Sequence, residues 1–438
     1  MNDLRIKLPV LLLPVLIGTS RPFSGGEVKK ILYLFAFSVL AGTLITNAIL
    51  ISPLKTDFRS SSMFISHIRF SLMMVYSIFI LFYYGIVQEK RTMPRMLHIT
   101  WIVWLLASLV LIRSLTGMFV LYATVLIFTV VYFKRLSFLM RAGILSVMLI
   151  IPVYLAAESY RAWKTFYTRV IPATLPEKTE SGRSYYHNTS SAEYENGNAV
   201  WTFYCEEELR QEWNKRSGLA FDSLDVNHNY VHGTLVRYLA SKGLTKDSAG
   251  MSKLTSRDID NIKNGFANYI YVEKKGLYPR MYEVIWELDN FKRTGNPTAL
   301  SVAQRIVFVK TALEIIRENF WTGVGTGDVQ KAFNEVYDRT GSPLDAKHRF
   351  RAHNQFLTLL LTFGIAGFLW ILFVLFYVPY KEKKYNNFLF LSAFIIVMLS
   401  WFNEDTLETQ AGVTFFLTFI ILFLLGSRDE KEIPEQKN

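Results

Sequence analysis

Arg351, His353, Asn354 and Gln355 stand directly before the apolar run FLTLLLTFGIAGFLW, which is long enough to enter a bilayer. An imidazole placed there can take a proton from a hydroxyl. The N-terminus of a helix carries unsatisfied N–H groups and a partial positive charge. That field favours neutral imidazole, the form a base needs, and it also attracts phosphate. The plain alternative is an interfacial histidine bonded to a neighbour. Asn354 and Gln355 are candidates for holding an acceptor or for supporting the base. Two arginines elsewhere carry complementary chemistry. Arg113 lies in LIRSLTG, a tight turn between two apolar segments; a charge at that depth serves a site or snorkels to the interface. Arg305 lies beside the apolar stripe of a predicted helix. Guanidinium forks grip phosphate oxygens in pairs, so two of them near a helix N-terminus make a pyrophosphate site.

Other motifs are weaker. The turn NEDTLETQ holds Glu404, Asp405 and Glu408; such a cluster orients an acceptor, pairs with arginine, or is simply a solvated turn, which is the default. Asp258-Ile259-Asp260 spells the Asp-x-Asp of some metal-dependent sugar transferases, but acids in the first turn of a helix also suit its dipole, so no metal is expected. NFWTGVGTGD at 319–328 follows a helix rather than a strand and fits neither nucleotide-loop pattern; it reads as a tight turn. Cys205 is the single cysteine, which excludes an intrachain disulfide and gives no cysteine metal site.

The elements that must position these groups are mostly membrane helices. Of 438 residues 51% are hydrophobic and only 19% charged, below the quarter usual in soluble chains. Apolar segments fall at about 8–20, 31–52, 66–87, 98–112, 117–133, 142–157, 355–378, 387–401 and 412–426. The net charge of +12 is explained by short basic loops rather than by nucleic acid, and no nucleic-acid partner is expected. Loops 21–30, 88–97, 134–141 and 379–386 carry twelve basic residues, against three in the intervening loops. Basic loops mark the cytoplasmic side, which puts the long segment 158–352 outside, together with Arg351 and His353. Nine spans with an inner C-terminus put the N-terminus outside, and 8–20 is broken by prolines; either that segment is re-entrant or upstream helices are missing.

Within the long segment, ALSVAQRIVFVKTALEIIRENF at 299–320 repeats apolar residues at Val302, Ile306, Val309, Leu313, Ile316 and Phe320, one helical stripe. A second helix is expected over 255–270. The fold class is therefore all-α: a polytopic transmembrane helical bundle with a large, mostly helical extracytoplasmic loop domain. The expected division is 1–157, N-terminal transmembrane helices; 158–352, periplasmic loop domain; 353–426, C-terminal transmembrane helices; and 427–438, cytoplasmic tail.

HNQFLTLLLTFGIAG gives His-Asn, nine residues, then Gly-x-x-Gly. With the arginine of IRSLTG, the arginine helix and glycine turn of QRIVFVKTALEIIRENFWTGVGTG, and the closing helices, it resembles the O-antigen ligase and polymerase family of bacterial envelope enzymes. The resemblance covers about 98–426. It implies a glycosyltransferase of the inner membrane that takes a glycan from undecaprenyl pyrophosphate and joins it to a lipid A–core sugar, without cofactor, metal or ATP. It further implies that Arg113 and Arg305, supplemented by Arg351, hold the pyrophosphate, and that His353 deprotonates the acceptor hydroxyl, which attacks with inversion. Family members usually have about twelve spans, and the insert at about 158–298 is longer than the family implies. Two alternatives stay open: a polymerase or protein O-glycosyltransferase using the same donor and a growing glycan or protein as acceptor, and a lipid-linked sugar transporter. Transporters place polar groups at mid-membrane, whereas these sit at helix ends.

Overall fold

Apolar runs with few charges must bond their own backbone in lipid, and they do so as helices. The computed structural model describes residues 2–51, 65–112, 114–135, 137–298 and 300–427. The expected Arg113, most of the 53–65 loop and the tail beyond Ser427 lie outside the described residues. The chain divides into two units, 1–148 with 295–438, and 149–294.

The first unit holds α1 (Asn2–Thr19), α2 (Gly25–Ile51), α3 (His67–Phe82), α4 (Thr92–Leu111), α5 (Leu115–Val131) and the first part of α6 (Phe138–Tyr167). The second unit holds the rest of α6, a two-residue antiparallel pair β1 (Tyr194–Glu195) and β2 (Asn198–Ala199), and the helices α7 (Glu206–Ser217), α8 (Val231–Ser241), α9 (Ser248–Ser252), α10 (Ser256–Lys263), α11 (Ile270–Glu273) and α12 (Tyr278–Thr294). The chain then returns to the first unit as α13 (Ser301–Glu318), α14 (Val329–Arg339), α15 (Gln355–Lys381), α16 (Phe388–Ser400) and α17 (Gln410–Ile421). Five helices are long and apolar enough to cross a membrane, and α5, α16 and α17 are shorter apolar helices. The protein is an all-α, multi-pass membrane protein.

In the first unit α3 is the hub, packed against α2, α4, α5, α16 and α17, with Leu72, Met74, Val75, Tyr76 and Ile80 essentially inaccessible. Its opening turn carries Arg69. Residues 8–19 of the 8–20 segment lie within one continuous helix, α1, which holds Pro9 and Pro14. α1 follows α17 along its length, from the Lys7–Glu408 ion pair at one end to the hydrogen bond from Phe23 N–H to Gly426 carbonyl oxygen, 2.7 Å, at the other.

The predicted 299–320 helix exists, but its buried face is not the expected stripe. Ala303, Phe308, Thr311, Ala312, Ile315 and Ile316 are buried, whereas Leu313 and Phe320 are exposed. The helix is apolar on two sides, so periodicity alone could not choose which side packs against α14 and α15.

α15 is broken at Gly364, which adopts φ 64° and ψ −178°, a region open essentially to glycine alone. The glycine turn 319–327 fills the break. Val324 N–H donates to Leu361 carbonyl oxygen (2.8 Å), Gly325 N–H to Thr362 carbonyl oxygen (2.9 Å), and Ile365 N–H to Phe320 carbonyl oxygen (2.8 Å). Backbone groups released by the break are thereby satisfied, as an apolar surrounding requires.

The second unit has its own core around Leu209, Trp213, Leu235 and Ile262. The helix expected over 255–270 stops at Lys263, because Gly265 turns to φ 79°. Asp258 is the reciprocal partner in the capping box with Thr255, and its carboxylate also pairs with Lys242 at 2.7 Å. Asp260 is exposed. The Asp-x-Asp motif is therefore a helix start.

Candidate active site

The polar residues that open α15 dock onto the turn between α16 and α17. Asn354 is the N-cap, its side chain accepting from Leu357 N–H, and its Nδ2 donates to Phe402 carbonyl oxygen at 2.9 Å. Gln355, fully buried, donates its N–H to Trp401 carbonyl oxygen at 2.9 Å; its Oε1 accepts from Leu407 N–H at 2.7 Å. Asp405 accepts from His353 N–H at 2.9 Å and from the Thr358 hydroxyl at 2.7 Å. These bonds hold His353 at φ 48°, a left-handed conformation that costs a non-glycine residue energy and is kept only where the surroundings impose it. Its ring lies against Phe308 and Phe350, at 5.6 and 6.3 Å between centroids.

The turn expected by default to be solvated is buried. Glu404, Asp405 and Thr406 are almost inaccessible, because each acid has partners. Glu404 bridges two arginines, Arg305 of α13 at 3.3 Å and Arg69 of α3 at 3.6 Å. Glu408 bridges two other cations, Arg351 at 2.8 Å and Lys7 of α1 at 3.3 Å. Arg305 keeps 41% of its side chain exposed beside a Glu404 that is only 4% exposed, so part of its fork is open. The Nε of Arg69 is buried and has no hydrogen-bond partner among the described residues.

Burial, with Arg305 and Arg69 adding repulsion, lowers the His353 pKa to about 4. The imidazole is neutral at neutral pH, as the sequence led us to expect. The cause is desolvation and two guanidiniums, since His353 precedes the N-cap. Burial raises the Glu404 carboxyl, opposed by Arg69 and Arg305. It also raises Asp405, opposed by its hydrogen bonds to Thr358 and to the His353 and Asn354 backbone.

The structure thus brings His353, Arg305, Glu404, Asp405, Asn354 and Gln355 together, and sets Arg351 on the neighbouring carboxylate. Arg113 lies outside the described residues. The residues beside it tie into the same region: the Ser114 hydroxyl donates to Ser71 Oγ at 2.8 Å, and Asn403 Nδ2 donates to Thr116 Oγ1 at 2.9 Å.

Sequence reasoning passed over Arg69. Its signal was present: a lone cation in the first turn of an apolar segment, against the helix dipole. It passed over Lys7 for a different reason, since nothing local links α1 to a turn four hundred residues away.

Asp405→Asn is expected to weaken the hold on His353. An amide offers one acceptor oxygen where the carboxylate uses two, so about 1–3 kcal/mol of stability is lost. The melting temperature should fall, with Thr358→Ala giving a smaller drop. An unchanged melting temperature in Asp405→Asn would remove the carboxylate from this positioning role.

Residues 266–372 match the family model described as Wzy_C, O-antigen ligase. The match spans α13, the glycine turn, His353 and the Gly364 break. No curated protein matches the chain.

Proposed function

We propose that this chain, a multi-pass membrane enzyme of the O-antigen ligase family, transfers a glycan from undecaprenyl pyrophosphate to a sugar hydroxyl of lipid A–core on the outer face of the bacterial inner membrane. The observation that carries the reading is a neutral, half-buried His353 locked beside two arginines that share one carboxylate. The side of the membrane is inferred from the basic loops, which belong to the end of the bundle away from His353.

Arg305 and Arg69, with Arg113 joining them on the family resemblance, hold the diphosphate of the donor. His353 accepts the proton of the acceptor hydroxyl as its oxygen attacks the anomeric carbon from the face opposite the phosphate. The C1–O bond to phosphate breaks, its electron pair leaves with undecaprenyl diphosphate, and the configuration inverts. The guanidiniums offset the charge that grows on the leaving group, so chemistry through a metal or ATP is not needed. Asp405, Asn354 and Gln355 fix His353, and Glu404 holds the two arginines apart at a set spacing.

Membranes or purified protein, supplied with undecaprenyl-pyrophosphate glycan and lipid A–core in EDTA without ATP, test the proposal. Glycan appearing on lipid A–core supports it. Longer lipid-linked chains alone indicate a polymerase, and translocation without transfer indicates a carrier. Arg69→Gln is expected to lower kcat/KM for the donor by about 10–100-fold, the value of a charge-assisted hydrogen bond. Arg69→Lys should recover only part, because an ammonium lacks the fork. Donor kinetics unaffected by Arg69→Gln would take this residue out of the donor site.

A further inference from the structure

The strap that leads into α15 carries an exposed apolar ring beside the imidazole. Phe350 lies three residues before His353, and their ring centroids are 6.3 Å apart in an edge-to-face arrangement. Phe308 of α13, almost inaccessible, meets both rings, at 6.2 Å from Phe350 and 5.6 Å from His353. Phe350 itself is 48% exposed.

A single exposed phenylalanine on a loose loop would need no explanation. This one sits on a backbone tied at both ends. Tyr337 of α14, fully buried, donates its hydroxyl to Phe350 carbonyl oxygen at 2.8 Å. Gln330 Nε2 donates to Arg349 carbonyl oxygen at 3.1 Å, and the Arg349 guanidinium pairs with Asp338. At the other end Asp405 accepts from His353 N–H. These ties fix the strap between α14 and the 404–405 turn while the Phe350 ring stays open. In the transfer reading, the acceptor hydroxyl lies within hydrogen-bond reach of an imidazole nitrogen. The pyranose that carries this hydroxyl then lies within about one ring width of Phe350. One face of a pyranose is a patch of apolar, slightly positive C–H groups, and the face of a phenyl ring is negative, so the two stack. We infer that Phe350 is the stacking platform for the acceptor sugar, a specificity-determining residue that holds the saccharide with one hydroxyl turned to His353. The inference rests on the transfer reading. It divides the substrates by chemistry: guanidiniums take the diphosphate of the donor, and an uncharged aromatic face takes the sugar ring.

Binding is measured without turnover, on the full chain in phosphatidylcholine nanodiscs. Deacylated lipid A–core oligosaccharide and undecaprenyl-pyrophosphate glycan are the separate probes. Phe350→Leu keeps apolar bulk and removes the aromatic face. It is expected to weaken oligosaccharide binding by about 3–10-fold, the worth of an aromatic contact beyond its area. Phe350→Tyr and Phe350→Trp should keep the wild-type affinity, with donor binding unchanged in all three. In transfer, Phe350→Leu should raise the KM for the acceptor by a similar factor with kcat nearly retained, since the stacked contact persists in the transition state. The platform is overturned if Phe350→Leu binds the oligosaccharide as wild type does, which would make the ring a bilayer-surface anchor. It is also overturned if donor binding weakens in parallel, or if wild type does not bind the oligosaccharide. Transfer failing in wild type, with an oligosaccharide affinity that still follows the aromatic series, would reject the proposed reaction and leave the platform standing.

Discussion

His353→Ala is expected to reduce glycan transfer by about 10²–10⁴-fold, the usual contribution of a positioned general base, with the protein still folded. The anchoring bonds of this residue are made by its backbone N–H and by its neighbours, so removing the ring leaves the α15–turn junction in place. His353→Asn is the better control for strain, because asparagine tolerates the left-handed region that His353 occupies at φ 48°. Both variants should lose turnover while retaining donor binding and a near-normal melting temperature. Transfer at wild-type rate by a folded variant would dismiss His353 as the base.

The pH profile gives an independent reading of the same group. The imidazole works as a base only when neutral, and burial with two nearby guanidiniums brings its pKa down to about 4. The kcat/KM profile, which reports the free enzyme, should therefore stay flat from neutral pH downward and fall only near pH 4. An ordinary histidine would produce that fall near 6.5. Burial raises the Asp405 and Glu404 carboxyls above their ordinary values, so their protonation acts in the same direction as that of the imidazole. The stability effect of His353 has the same sign. Its folded pKa lies below the unfolded value, so the unfolded chain binds more protons between about 4 and 6.5. Stability is lost as pH falls through that window. An acid limb centred near 6.5 would show that the imidazole is solvated rather than buried.

The second large effect is expected from Gly364→Ala. A Cβ there would lie 2.2 Å from Trp321 carbonyl oxygen, with φ 64°. Gly323→Ala is its mirror: the Cβ would lie 2.4 Å from Thr362 carbonyl oxygen and 2.5 Å from Gly364 N. Neither neighbour is a side-chain end that can swing away; both are backbone. Relief requires pulling the glycine turn out of the helix break. That gives up the bonds from Val324, Gly325 and Ile365 N–H and leaves unpaired backbone groups in an apolar setting. Each variant should cost about 3–5 kcal/mol, in the exceptional range for one substitution. It should also carry Arg305 and His353 out of register, since α13 ends at this turn and α15 contains the break. Gly325→Ala and Gly327→Ala are the controls, at positive φ but with no atom within 4 Å of the added Cβ; they should cost only about 1 kcal/mol of backbone strain. Equal melting temperatures for Gly323→Ala and Gly325→Ala would refute the close approach.

Much of this was legible in the residues. Long apolar runs with almost no charge can satisfy their backbones in lipid only as helices, so the spans could be read from the chain. His353 stood out because it heads a polar triplet directly before a membrane helix, although Asn354 in that triplet also serves as the helix N-cap. Arg305 was marked by standing beside an apolar stripe. Helix capping was local too, as in Thr255 with Asp258.

What the sequence could not supply was pairing across distance. Glu404, Asp405 and Glu408 look like a wet turn until α1, α3, α13 and α15 deliver their cations and N–H groups to it. A carboxylate is buried only where such partners compensate it, and those partners stand up to four hundred residues away. Arg69 and Lys7 entered the site in this way, and the buried face of α13 was chosen by what packed against it. The chain by itself determined that helices cross a membrane and that an imidazole and guanidiniums sit at their ends, because those follow from local polarity and backbone hydrogen bonding. Which cations meet which carboxylate, and that the histidine beside them is partly desolvated and neutral, was decided only by tertiary packing, because desolvation and charge pairing depend on distance in space.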